Sequence, residues 1–480
     1  MLSLSISYLF NTSTVINVFT QKRKMSIKSK FGWQVLSSIF IILLKLHCSE
    51  SNPSPLYNCV NLDGGLTCHS SDPNPYRNYG SKTAYPAVHK DYTKTYDLKG
   101  CTPKVFYLLN RHATRYPGKE YIEYINERLP ILKEKIITSY RNGQAKMCED
   151  DINKLMDWLP TLAVEDEKRL SATGAAEAEE LGERLRQRFP EILGMKYSPG
   201  RFIIEYTEKE RTRDTAQNFS RGLFTELDYE KVKGRINQKL LSFNKECKKM
   251  MNKCDNQKLD LEEVKEFLNG SLMQKTIESV SKRVGFTLTN DDMIHMHTAC
   301  SFGYALNTSD AWCAAFSSDD LKVMEYGDDI EGYYRRSYGN AVNYQQACPI
   351  VKYIVDLFKL YEGTRMSKIV LQFSHSGALS RFFTAIGISR NDKKLTAKSF
   401  CSQSNRRWRT SSFAPFNTNI VFVLYDCNGD LKIMTLHNEM PVRIDGCKND
   451  KLCSLKEFYD KYQPLAENCD LEKICDVCRV

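Results

Sequence analysis

Within the five residues Arg111-His112-Ala113-Thr114-Arg115, two guanidinium groups flank one imidazole. The planar fork of arginine donates two parallel, charge-assisted hydrogen bonds, a geometry that suits a phosphate group. A histidine held between such groups can attack phosphorus as a neutral imidazole. The product is a phosphohistidine, with the arginines offsetting charge on the equatorial oxygens. This chemistry needs no metal or other cofactor. Taken alone, the same residues also describe a solvated basic turn, so their setting decides between the readings. Val105-Phe106-Tyr107-Leu108-Leu109 is an apolar run compatible with a buried strand, and it stops at Asn110, directly before the loop. Beyond the loop, Tyr121, Ile122, Ile125, Leu129 and Leu132 have helical spacing, with Pro130 as a break or kink. The loop is thus expected at the C-terminal end of a strand leading toward a helix, where α/β folds bind anions.

Other elements build a sheet around that strand. Ser171 to Phe189 reads as a helix, Arg201 to Tyr206 as a strand, and Arg211 to Leu223 as a second helix. Strand character returns at Ile369–Phe373, Asn419–Tyr425 and Leu431–Leu436. The succession predicts an α/β sheet wound by crossovers. Its core would comprise residues 96–225 and 346–445, split by a mainly helical cap at 226–345 in which no strand is expected. Lys248, Lys249 and Lys253 on that cap either add positive charge around a polyanion or form a solvated helix face.

The seven residues Arg111 to Pro117 resemble the R-H-G-x-R-x-P signature of the histidine acid phosphatases, with four of its five fixed positions present. Thr298-Ala299-Cys300-Ser301-Phe302, Trp312-Cys313 and the stretch Asp328 to Tyr338 are similar to the middle region of the multiple inositol polyphosphate phosphatases. The likeness runs over roughly residues 55 to 465. It implies a histidine-phosphatase-like mixed sheet flanked by helices. It also implies His112 as nucleophile, Arg111 and Arg115 as phosphate clamp, Arg211 as a third phosphate-binding arginine, and His375 as a second histidine on the phosphoryl oxygens. Without the resemblance, Arg211 or its neighbour Arg213 would be a surface charge at a helix start, and His375 a structural residue at a strand end.

Two departures from the family pattern stand out. Ala113 replaces a glycine, so a loop with positive φ there would cost roughly 1 kcal/mol or somewhat more, and the methyl would crowd a bound phosphate. The general acid of the family follows the second histidine as His-Ala-Glu, whereas this chain has His375-Ser376-Gly377. Loss of a general acid forfeits about 10² to 10⁴ in rate. His437-Asn438-Glu439 repeats the missing pattern further along, which makes Glu439 a candidate substitute donor. The expected activity is phosphomonoester hydrolysis of inositol polyphosphates or similarly crowded anions. The alternatives are an exported binding protein that keeps the clamp without turnover, and an acid phosphatase of broad specificity.

Charge and cysteines bound the remaining choices. The formal net charge of +10 includes six Lys and Arg in the first 48 residues, where no Asp or Glu occurs; removing these six leaves 62 basic against 58 acidic residues, a net +4. A nucleic-acid partner is therefore not expected, while a local basic pocket for a small anion is. The apolar run Val35 to Leu44 follows Lys28 and Lys30 in the order of a secretory signal, placing a signal peptide at 1–48 with Met25 as an alternative start. It is short for a bilayer span, so no stable membrane span is expected after cleavage, a signal anchor being the alternative. Cleavage after Cys48 would leave sixteen of the seventeen cysteines, an even number that fits disulfides in an exported chain, with pairing open. These would tie a lead-in at 49–95 and a Cys-rich segment at 446–480, where Cys475-Asp476-Val477-Cys478 also has the spacing of a redox or metal motif. Sequons at Asn218, Asn269 and Asn307, and the absence of a C-terminal retention tetrapeptide, favour secretion.

Overall fold

A computed structural model of the chain describes residues 59–72, 74–89, 98–247, 262–449 and 452–475. The segment expected as a signal peptide, and Lys248, Lys249, Lys253 and Cys478, lie outside the described residues. The sheet has eight strands: β1 Cys101–Arg111, β2 Phe202–Tyr206, β3 Gly234–Ile236, β4 Lys368–Ser374, β5 Asn419–Cys427, β6 Asp430–His437, β7 Met440–Pro441 and β8 Cys453–Ser454. They run in the order β3-β2-β4-β1-β5-β6-β7, with β8 also on β6. The first four are mutually parallel, and β5 reverses direction against β1 to begin an antiparallel half.

Both faces of the central strands are covered, which is why they read as unbroken apolar runs rather than alternating ones. Successive side chains point to opposite faces. Val105, Tyr107 and Leu109 of β1, with Ile420, Phe422 and Leu424 of β5, enter one core. Phe106 and Leu108, with Val421 and Val423, enter the other. The second core is closed by the helices Ala172–Arg188 and Glu210–Leu223 through Leu181, Leu185, Phe219 and Leu223. The first, larger core takes Phe382 and Phe383 of the helix Ser376–Ala385 and apolar residues from the helices Ser271–Val284, Ser318–Arg336 and Cys348–Thr364.

This arrangement positions a site. Strands β2 and β4 are parallel neighbours, yet the helices that follow them lie on opposite faces of the sheet. A crevice opens beyond the carboxyl ends of such strands. The helix expected from Tyr121 divides at Pro130: one helix spans Lys119–Glu127, and the next, Leu129–Arg141, takes the proline in its first turn, where no N–H is needed.

The segment between β2 and β4 is mainly helical, but the expectation that no strand interrupts it is incorrect. Gly234–Ile236 pairs in parallel with Ile204–Tyr206. Three exposed residues carry no periodic signal; what holds them is a buried carboxylate on the neighbouring strand. Glu205 accepts from Arg235 at 2.7 and 2.9 Å and from Asn237 at 3.0 Å. On the other side, Gln372 of β4 donates to Glu205 at 2.7 Å and accepts from the Tyr107 hydroxyl of β1 at 2.7 Å, so one polar chain crosses four strands.

Seven disulfides join described residues: Cys59–Cys401, Cys68–Cys148, Cys101–Cys427, Cys247–Cys475, Cys300–Cys313, Cys348–Cys469 and Cys447–Cys453. Cys101 and Cys427 are register partners at the start of β1 and the end of β5. Cys475 is bonded to Cys247, so it is not half of a local C-x-x-C redox pair. Among the described residues, no helix is long and apolar enough to cross a membrane.

Candidate active site

Strand β1 ends at Arg111, and His112 follows at the carboxyl end of this interior strand, its N–H bonding to the Ser374 carbonyl of β4 at 2.9 Å. Loop residues 114 to 116 then run against the entry of the helix Ala172–Arg188. Ser171 donates to the Thr114 carbonyl from both its N–H and its hydroxyl at 3.0 Å, while the same hydroxyl caps the helix by accepting from Gly174. An added Cβ at Gly174 would sit 2.0 Å from the Thr114 oxygen, so only glycine lets this helix approach the loop so closely. Glu177, one turn on, accepts from the Thr114 N–H at 3.1 Å and is buried.

Hydrogen bonding specifies the tautomers of both histidines. His112 Nδ1 lies 3.0 Å from the Ala113 carbonyl, which can only accept, so Nδ1 carries the proton and Nε2 keeps its lone pair. At His375, Arg211 Nη2 donates to Nδ1 at 3.3 Å, so Nε2–H donates to the Thr207 hydroxyl at 3.0 Å. The two rings stand edge to face with centroids 5.5 Å apart. Burial first, and then the positive charge of Arg111, holds His112 well below the ordinary histidine pKa. Burial, followed by Arg211, brings His375 down to about 3. Both rings are therefore neutral over the physiological range.

Three arginines surround this pair. Arg111 is buried; its Nη1 donates to the Ser81 carbonyl at 2.6 Å and the Ala414 carbonyl at 2.8 Å, and its guanidinium stacks 4.5 Å from the centre of the Phe416 ring. Arg115 donates to the Tyr116 carbonyl at 2.6 Å and lies over Phe302 at 5.8 Å. Arg211 begins the helix after β2 and faces His375. Among the described residues, no carboxylate forms an ion pair with any of the three. Burial depresses the pKa of all three, and repulsion from the other arginines adds to this at Arg111 and at Arg115, which falls to about 10. Further positive charge from Arg336 is felt at Arg111, and from Lys245 and Lys209 at His375. Arg213, two residues beyond Arg211, instead points outward and pairs with Glu210 and Asp214.

Two expectations need correction. Ala113 does not have a positive φ, so its methyl introduces no left-handed strain. That methyl is fully buried in the apolar core with Ala178, Phe219 and Phe373, where it fills space away from the clamp. Glu439 is not available as a proton donor. It occupies the tight turn between β6 and β7 with φ 65°, fully buried, and its carboxylate is bonded by Arg184 at 3.0 Å, Arg188 at 3.4 Å and the Tyr85 hydroxyl at 2.9 Å. His89 lies 3.2 Å from it on another side. The position expected for the donor, Gly377, sits in the first turn of its helix, where an added Cβ would meet only ordinary contacts at 3.7 Å from Arg381 and 3.8 Å from Asn244.

Sequence reasoning missed Thr207, Glu177 and the carbonyls of Ser81 and Ala414, all of which orient site residues without carrying a motif. The glycine inside the helix Ala172–Arg188 was the available signal for a close backbone approach at that point.

What these groups can do together is hold an anion with three unpaired arginines and His375 while His112 Nε2 attacks it. Residues 104–444 match the profile of the histidine phosphatase superfamily (branch 2). A multiple inositol polyphosphate phosphatase 1 from Drosophila melanogaster is 30% identical over 407 residues, covering 82% of this chain and 86% of that protein. The Homo sapiens protein of the same name is 25% identical, covering 85% and 90%. Among solved structures, a phytase from D. castellii superposes with a TM-score of 0.65 at 18% identity, covering 84% of this chain and 87% of that one. A Bifidobacterium longum multiple inositol polyphosphate phosphatase in complex with inositol hexasulfate superposes with a TM-score of 0.57 at 14% identity, covering 79% and 96%. With the match spanning the loop, both histidines and strands β2 to β7, the chain belongs to branch 2 of the histidine phosphatase superfamily.

Proposed function

We propose that this chain hydrolyses phosphomonoesters of inositol polyphosphates through a phosphohistidine formed on His112. The observation that carries this reading is the neutral His112, its Nδ1–H committed to Ala113 and its Nε2 free, among three guanidiniums that lack counter-ions. Arg111, Arg115 and Arg211 bind the phosphoryl oxygens and offset their charge as it redistributes in the transition state. His375 gives up no proton in the reaction; burial and the charge of Arg211 hold it neutral, and it orients the phosphoryl group. The positive field reaches beyond one phosphate. Lys209, Lys245 and Arg336 act on the site residues from its rim, and Lys82 stands near Asp328, which favours a substrate with several phosphates over a singly charged one. Lys245 and Arg336 belong to the mainly helical 226–345 stretch, which supports reading part of that stretch as a cap on the site.

The disulfides support an exported chain, since such bonds persist in oxidising compartments. Asn269 and Asn307 are exposed and suited to glycosylation, whereas Asn218 is half-buried in a helix with its amide bonded to the Asp214 carbonyl at 2.8 Å.

The test is phosphate release from inositol hexakisphosphate by the parent and by His112→Ala, with detection of phosphohistidine in alkali-quenched turnover mixtures. Release and adduct are both expected in the parent, with release falling by on the order of 10⁴-fold or more in the variant. Tight binding of inositol hexakisphosphate without His112-dependent release would replace this reading by that of a binding protein, which the missing carboxylate at Gly377 makes the specific alternative.

A further inference from the structure

A leaving alkoxide needs a proton, Gly377 has none to give, and Glu439 is sealed between two arginines. The helix Ser318–Arg336 supplies a different carboxyl. Of its acidic residues from position 325 onward, Glu325 is bonded by Arg409, Arg406 and Ser411, Asp329 by Arg406 and the Thr410 N–H, and Glu331 by Arg335. Asp328 alone among these has no hydrogen bond or ion pair among the described residues, and it is exposed.

Its place is defined from two directions. Asp328 Oδ2 packs against Gly80, where an added Cβ would lie 2.5 Å from it; Gly80 has φ +51°. The next residue, Ser81, is the one whose carbonyl holds Arg111 Nη1 at 2.6 Å. Two helical turns beyond Asp328, Arg335 accepts at its carbonyl from Arg381 Nη2 at 3.0 Å, and Arg381 Nη1 donates to the Gly377 carbonyl at 2.9 Å. The helix bearing Asp328 therefore packs against the neighbour of the residue that holds the clamp arginine and is bonded, through Arg381, to the turn where the donor is missing.

We propose that Asp328 is the proton donor to the leaving group, in place of the carboxylate absent at position 377. The assignment rests on the phosphohistidine reading above. As His112 Nε2 bonds to phosphorus, the bond from phosphorus to the ester oxygen breaks and the Asp328 proton passes to that oxygen, releasing the alcohol. A water then attacks the phosphohistidine and gives one proton back to the Asp328 carboxylate, returning inorganic phosphate and neutral His112. The surroundings favour a carboxyl that can hold its proton. Enclosure by protein raises the Asp328 pKa above the ordinary aspartate value; Lys82 and Arg336 oppose this, while Glu331 and Glu325 add to it. Asp328 is thus open to solvent on one side and packed against Gly80 on the other.

The experiment compares two substrates in the full-length protein. Inositol hexakisphosphate has an alkoxide leaving group that needs a proton, whereas p-nitrophenyl phosphate releases a phenolate that does not. Asp328→Asn is expected to lower kcat on inositol hexakisphosphate by about 10² or more while leaving p-nitrophenyl phosphate nearly unchanged, and to remove the alkaline limb of the first pH profile. Gly377→Glu in the Asp328→Asn background is expected to recover activity on inositol hexakisphosphate. An equal loss on both substrates, or no loss on either, overturns the assignment. A parent protein that shows no His112-dependent release from either compound overturns the phosphohistidine reading itself, and this assignment with it.

Discussion

The clustered arginines of this molecule fall into two groups that differ in one respect. Arg184 and Arg188 converge on Glu439, and Arg406 and Arg409 converge on Glu325 and Asp329, so each cation meets a carboxylate. Arg111, Arg115 and Arg211 meet only carbonyls, aromatic faces and a histidine. Buried charge is tolerated when paired and hydrogen-bonded. Where three guanidiniums are held together without a counter-ion, the fold has kept a place for an anion that it does not itself contain. Arginine count and burial alone do not separate structure from function here; the presence of a carboxylate partner does.

The contrast is broken most directly by a crossed pair of variants. Arg111→Ala is expected to cut kcat/KM for phosphate release by about 10² to 10³ at a smaller stability cost than Glu439→Ala, since the stranded Ser81 and Ala414 carbonyls are offset by removal of a repelled cation. Glu439→Ala is expected to cost about 3–5 kcal/mol in urea denaturation, because it strands the buried Arg188 and the half-buried Arg184, while turnover per folded molecule is kept. If Glu439→Ala abolished turnover in a protein of parent stability, Glu439 would regain the donor role and the contrast would fail. A smaller effect sharpens the same distinction. Inorganic phosphate at about 100 times its Kd should stabilise the parent by about 2.7 kcal/mol and Glu439→Ala similarly, but Arg115→Ala much less.

The smallest effect is in pH dependence. His112 and His375 are buried neutral, the latter with its pKa lowered to about 3, against about 6.5 when unfolded. Between these values the unfolded chain binds more protons, so stability falls as pH drops through 6.5 toward 3 and is fully present above it. His297, lowered to about 3, and His437, lowered to about 4, act in the same direction. Thermal melts of His375→Asn from pH 7 to 4 should show a shallower decline than the parent; an identical slope would mean that His375 is not held neutral.

Much of the site was legible because its signals are local. An apolar run ending at Asn110, a loop of two arginines and a histidine, and a strand ending just before His375 can each be read from neighbours in the chain, and the described strands begin and end close to where the runs do. The strand Gly234–Ile236 was not legible, since its reason for forming is a carboxylate 30 to 32 residues away in sequence from the groups that bond it, Glu205. Nor was the choice between Arg211 and Arg213: both start the same helix, and only its docking against β4 turns one toward His375 and the other to solvent.

The amino-acid sequence by itself determined the chemical repertoire of this protein, an imidazole set among guanidiniums at a strand end, because side-chain type and backbone periodicity are properties of short segments. Tertiary structure decided which of those groups are left unpaired. It buried Glu439 between Arg184 and Arg188, turned the Ala113 methyl into the core, and left Asp328 open against Gly80, the neighbour of the residue that holds Arg111. Those outcomes depend on contacts between segments far apart in the chain, where the cost of burying a charge is met or left unmet by a partner that no local pattern announces.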